Sequence, residues 1–118
     1  MLYVLALDLK DDAQLIAQYE AYHWRIPEEI AAHLRRQGVT GMEIYRLGTR
    51  LTMLMETNDT VYDPAAMAAE NAVNPDVLAW EAMMWRFQAP TPWTGHGEKW
   101  TAMSKIFDLA AQTSVHAD

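Results

Sequence analysis

Residues 42–56, MEIYRLGTRLTMLME, constrain the fold more than any other stretch of this chain. Met42 and Ile44 alternate with Glu43 and Tyr45; beyond the GTR turn, Leu51, Met53 and Met55 alternate with Thr52, Leu54 and Glu56. A period of two on both sides of a glycine turn at Gly48 predicts a β-hairpin. That commits the chain to an antiparallel sheet with one apolar face. What flanks the hairpin must then cover that face.

Upstream, LYVLALD (residues 2–8) reads as a buried or half-buried strand, and DDAQ supplies acidic helix-starting chemistry. Apolar positions recur at Leu15, Tyr19, Tyr22/His23, Ile26, Ile30 and Leu34, the spacing of one helix lying on a sheet, ended by Arg35, Arg36 and a capping Gly38. Downstream, Asp63-Pro64 and Asn74-Pro75 each pair a cap residue with proline at the first helical position. They predict a short helix over 64–71 and a second reaching about Phe87. QAPTPWTGHGEKW (88–100) reads as a long loop, TAMSKIFDL (101–109) as a last strand, and residues 111–118 as a flexible tail.

The order β-α-β-β-α-β predicts a single α+β domain over residues 1–110, with an antiparallel sheet and helices on one face. The first strand presents Tyr3, Leu5 and Leu7 on one side and Leu2, Val4 and Ala6 on the other. With no further helix for the second side, two subunits packed sheet to sheet, a two-fold homodimer, are expected.

Composition excludes several functions. A net charge of −7 with no basic stripe argues against nucleic acid as a partner. The absence of cysteine removes disulfides, thiol catalysis and cysteine-ligated metals, and agrees with a cytoplasmic location. No apolar run approaches the ~18–20 residues of a membrane span, and MLYVLAL lacks the basic flank of a signal peptide. The histidines show no metal-ligand spacing, so no metal site is expected.

His23 is the histidine to single out. It follows Tyr19 by one helical turn, so the two side chains are neighbours on one face. Pro27, four residues further on, withholds the N–H that would bond the His23 carbonyl and crowds that carbonyl, a local cost that marks a candidate site. A buried core histidine is the competing reading. His33 reads as a surface residue at the charged helix end, while His96 lies in the long loop and His116 in the tail. Trp24, Trp80, Trp85, Trp93 and Trp100 offer aromatic platforms of the kind that hold apolar sugar faces, or core filling; beside TGHGEK, Trp93 and Trp100 are expected to close a pocket.

Taken in order, Tyr19-x-x-x-His23, PEEIAAHLRRQGVTGMEIYR, TRLTMLMET, NPDVLAWEAMMWRFQAP and GEKWTAMSKIFDL resemble the L-rhamnose mutarotase family over residues 2–109, most closely its L-fucose branch. The resemblance implies a ferredoxin-like fold of the dimeric α+β barrel type, no metal or cofactor, and interconversion of the α and β anomers of a 6-deoxy sugar, L-fucose before L-rhamnose. It places the proton donor or acceptor on His23, its partner on Tyr19, and a sugar platform on Trp80, with Ala79 where the family has a first tryptophan. Trp24, Met42 and Trp100 are the remaining expected substrate contacts; Met42 stands where the family often has tyrosine, and Pro27 where it has an aromatic residue. The rival functions are a cofactor-independent monooxygenase or haem-degrading enzyme of the same fold, and a sugar-binding module without catalysis.

Overall fold

The computed structural model describes residues 1–113; residues 114–118, with His116 and most of the expected tail, lie outside the described residues. Strand β1 spans Leu2–Leu9, helix α1 Ala13–Trp24, α2 Glu28–Arg36, β2 Val39–Leu47, β3 Arg50–Thr57, α3 Pro64–Asn71, α4 Pro75–Met84, β4 Gln88–Ala89 and β5 Thr101–Ala102. The strands run in the order β2-β3-β1-β4, all antiparallel, with β5 also paired to β1. This is the ferredoxin-like arrangement that the sequence pattern predicted.

The hairpin forms as expected, with Leu47 opposite Arg50 and Gly48 at φ +58° in the turn. Its register settles both sheet faces. Rows Tyr3–Met55–Met42 and Leu5–Met53–Ile44 point towards the helices, whereas Val4–Leu54–Glu43 and Ala6–Thr52–Tyr45 point away. Leu7, Leu51, Phe87 and Met84 fill the centre of the core.

The expected single helix over residues 13–36 is two helices. Isoleucine before proline is disfavoured in the α region, and Pro27 has no N–H to continue the ladder. The chain therefore leaves helical geometry at Arg25 (φ −153°, ψ 97°), and Pro27 caps the next helix, its carbonyl accepting from the Ile30 and Ala31 amides. Asp12, Asp63 and Asn74 cap α1, α3 and α4 through side-chain oxygens, the role their sequence positions announce. Gly38 closes α2 at φ +97°; a Cβ there would stand 2.7 Å from the Tyr62 nitrogen, so the turn demands glycine twice over.

Three other boundaries move. Helix α4 stops at Met84 rather than Phe87, and residues 88–89, expected in the loop, pair with Leu9 and Asp8 of β1. The expected strand over 101–109 has only two paired residues. Beyond Met103, whose amide donates to the Val4 carbonyl, the chain leaves the sheet, and Ile106 is 95% exposed. An alternating apolar pattern makes a strand only where a neighbouring backbone receives it. Accordingly the radius of gyration is 16.7 Å, above the roughly 13–14 Å of a compact chain this long. Among the described residues, no helix is long and apolar enough to cross a membrane.

Candidate active site

A cavity of about 270 Å³ lies between the sheet and the helices. It is just below the usual ligand-pocket range, with room for a compact small molecule. Its floor is the inward sheet face, Leu5, Met42, Ile44, Met53 and Met55; Tyr19, His23, Trp80, Gln88 and Lys99 stand among its polar and aromatic walls. A second depression of about 370 Å³ adjoins it, sharing His23, Ile26, Leu34, Met42 and Ile44.

Helix α1 brings Tyr19 and His23 together one turn apart, with ring centroids 4.3 Å from each other. The Tyr19 side chain enters the core against Phe87 (6.1 Å between centroids), and the His23 ring meets Trp80 of α4 edge-on at 5.6 Å. His23 Nδ1 lies 2.8 Å from the Tyr19 backbone carbonyl. A carbonyl only accepts, so Nδ1 carries the hydrogen and the neutral ring keeps its lone pair on Nε2. Burial pulls the His23 pKa below its ordinary value, against the smaller opposing effect of that hydrogen bond. At neutral pH the imidazole is thus an uncharged base.

Tyr19 is in the complementary state. Burial raises its pKa, the Gln88 hydrogen bond works the other way, and the negative charge of Glu81 adds to the rise. The phenol keeps its proton and is a donor. Gln88, the first residue of β4 and opposite Leu9, donates from Nε2 to the Tyr19 hydroxyl at 3.2 Å. Lys99 pairs with Glu81 and lies 5.0 Å over the Trp85 ring, tying the 90–100 loop to α4. Thr91 and Thr94 of that loop and Thr101 of β5 bond in series, each step 2.8 Å, which sets the chain course leading to Trp100.

Of the expected site residues, Tyr19, His23, Trp80, Met42 and Trp100 all line the cavity. Trp24 does not: at 84% exposure it points to solvent from the end of α1. Trp93 also stands outside, 73% exposed with the Arg50 guanidinium 5.1 Å over its ring. His33, expected at the surface, is only 2% exposed and bonds Asn71 Oδ1 through Nε2 at 2.7 Å. A hydrophobic pattern counts it among charged neighbours, but the break at Pro27 turns α2 independently of α1, and His33 ends up in the cavity wall. Gln88, Glu81, Lys99 and Asn71 were missed because single polar residues carry no spacing signal. Among the described residues no three His, Cys, Asp or Glu side chains converge as metal ligands.

Residues 3–109 match the family model described as L-rhamnose mutarotase. The chain belongs to the L-rhamnose mutarotase family. Within it, the chain is 49% identical over 111 residues to an L-fucose mutarotase from Xanthomonas campestris pv. campestris, covering 92% of this chain and 88% of that protein. Its backbone resembles the crystal structure of an L-rhamnose mutarotase from Formosa agariphila, with a TM-score of 0.66, 14% identity, and 92% and 98% of the two chains covered. The tetracenomycin F2 cyclase of Streptomyces glaucescens aligns at a TM-score of 0.55 and 15% identity, over 98% of this chain and 99% of the cyclase. At such identities these two structures speak for the fold alone, and they agree with the ferredoxin-like topology of the dimeric barrel type.

Proposed function

We propose that this protein is a cofactor-independent sugar mutarotase acting on the anomers of a 6-deoxy-hexose, with L-fucose its first substrate and L-rhamnose the next. The observation that carries the reading is the Tyr19–His23 pair: a proton-holding phenol and a neutral imidazole at adjoining positions of one small cavity. Family membership and the 49% identity to an L-fucose mutarotase support the substrate class.

The chemistry asks for little else. His23 Nε2 removes the proton of the anomeric hydroxyl while the Tyr19 hydroxyl protonates the ring oxygen; the C1–O5 bond breaks and an open-chain aldehyde results. Rotation about C1–C2 presents the other carbonyl face, and both protons return along the same paths. Such acid/base assistance is worth ~10²–10⁴-fold. Trp80 and Trp100 flank the sugar, and the methionine floor suits its C6 methyl group. Saturation-transfer proton NMR of L-fucose and L-rhamnose tests the proposal. Catalysed exchange between anomers is expected, abolished by His23→Ala; exchange no faster than buffer for both sugars defeats it.

The working unit is proposed to be a homodimer, in the cytoplasm as the cysteine-free sequence suits. Val4, Leu54, Tyr45 and the 85% exposed Leu47 form an uncovered apolar sheet face, and an exposed Phe107 projects beyond the body. Light scattering is expected to give twice the 13.5 kDa chain mass, reverting to one on Leu54→Glu; a monomeric wild type refutes the dimer. Cell fractionation checks the compartment.

A further inference from the structure

Gln88 is a buried polar group of the cavity wall, next to the catalytic pair, that the mutarotase reading leaves unused. It is 3% exposed, lines the cavity beside Tyr19 and His23, and satisfies only half of its amide: Nε2 donates to the Tyr19 hydroxyl, while Oε1 is buried with no partner. A buried, unpaired carbonyl is costly, and natural sites hold such groups where a ligand completes them. The direction of the bond matters as much. A phenol has one proton; when Gln88 donates into the oxygen, that proton is left for another acceptor. In the opposite orientation Oε1 would accept the phenol's proton and both amide N–H groups would be left without a protein partner.

We propose that Gln88 binds the sugar and sets the polarity of the site: its Oε1 accepts a substrate hydroxyl, and its Nε2 holds the Tyr19 hydroxyl with the proton directed at the substrate. Main-chain pairing makes this possible. Gln88 opposes Leu9 in the short β4 ladder, which directs its side chain to the same sheet face as Leu5 and Leu7. The pairing at only two residues, Gln88 and Ala89, is enough to fix that direction. The proposal rests on the mutarotase reading for the role of Tyr19, but the contact to the sugar stands apart from it.

Gln88→Glu and Gln88→Met separate the two parts. A carboxylate at position 88 only accepts, so it takes the Tyr19 proton into its own hydrogen bond and reverses the polarity. Exchange of L-fucose anomers is expected to fall by about 10² at pH 8, the low end of general-acid assistance. It should recover on acidification as the buried carboxyl protonates and donates again. The wild type is level over that range and falls only at lower pH, where His23 protonates in wild type and variant alike. A rate that rises on acidification where the wild type is level cannot come from a merely structural defect, and thermal melting of each variant confirms folding at the assay temperature. Gln88→Met keeps the shape and removes the acceptor; L-fucose binding, read from tryptophan fluorescence, should weaken about tenfold, the scale of one hydrogen bond lost to a buried ligand. An active wild type with a Gln88→Glu variant of the same rate and pH slope overturns the polarity assignment. Unchanged binding in Gln88→Met overturns the contact. A wild type that binds L-fucose but does not accelerate exchange instead refutes the mutarotase reading, leaving the binding comparison to judge Gln88.

Discussion

Tyr19→Phe removes one oxygen and little else, since the ring keeps its packing against Phe87 and His23. Its consequences for stability and catalysis differ, and both follow from the Tyr19–Gln88 bond. Gln88 already has an unpaired Oε1; without the phenol its Nε2 is unpaired as well, and the whole amide is buried without a partner. Leaving a buried donor unsatisfied costs about 1–3 kcal/mol. With roughly 4 °C per kcal/mol for a domain of this size, thermal melting should drop by about 4–12 °C. The double variant Tyr19→Phe, Gln88→Met replaces both partners by apolar groups, a change that is nearly neutral, so it should regain most of that loss. Activity should not follow. Losing the donor to the ring oxygen removes general-acid assistance worth ~10²–10⁴-fold, in the single and the double variant alike. Saturation-transfer NMR of L-fucose below the melting temperature measures it. If Tyr19→Phe stays within about threefold of the wild type, Tyr19 is not the proton donor. If the double variant melts no higher than the single one, the energetic role given to the amide is mistaken.

The lowered His23 pKa fixes the pH response: protonated imidazole cannot act as base, so catalysed exchange should rise through a limb lying below the ordinary value of about 6.5. The raised Tyr19 pKa then keeps the rate level up to about pH 10; a limb centred above neutrality, in buffer-corrected rates, refutes the assignment. Trp80→Phe should raise the KM for L-fucose about 2- to 10-fold, the worth of an aromatic contact, while the exposed Trp24→Ala should leave kcat and KM unchanged. Equal effects from the two would contradict the placement of the sugar against Trp80.

Much of the fold was legible because it depends on periods and punctuation that act locally. The alternation around Gly48, the Asp63-Pro64 and Asn74-Pro75 starts, and the apolar opening strand each state one element and its buried side. Tyr19 and His23 were legible as a pair for the same reason, since residues four apart share a helical face in any fold. Residue pairing across the sheet was not. The extent of the last strand depends on how much of β1 remains to receive it, and only two residues of 101–109 find a partner.

The sequence by itself determined the succession of strands and helical segments, the antiparallel sheet, the helix caps and, through its ordered motifs, the family, because local pattern carries that information. The tertiary structure alone decided which polar groups meet. It turned Trp24 outward and His33 inward on either side of the Pro27 break, and carried Gln88 across 69 residues of sequence to the Tyr19 hydroxyl. A hydrogen bond that spans the chain leaves no periodic trace; it exists only once the sheet has closed and excluded the water that would otherwise have taken its place.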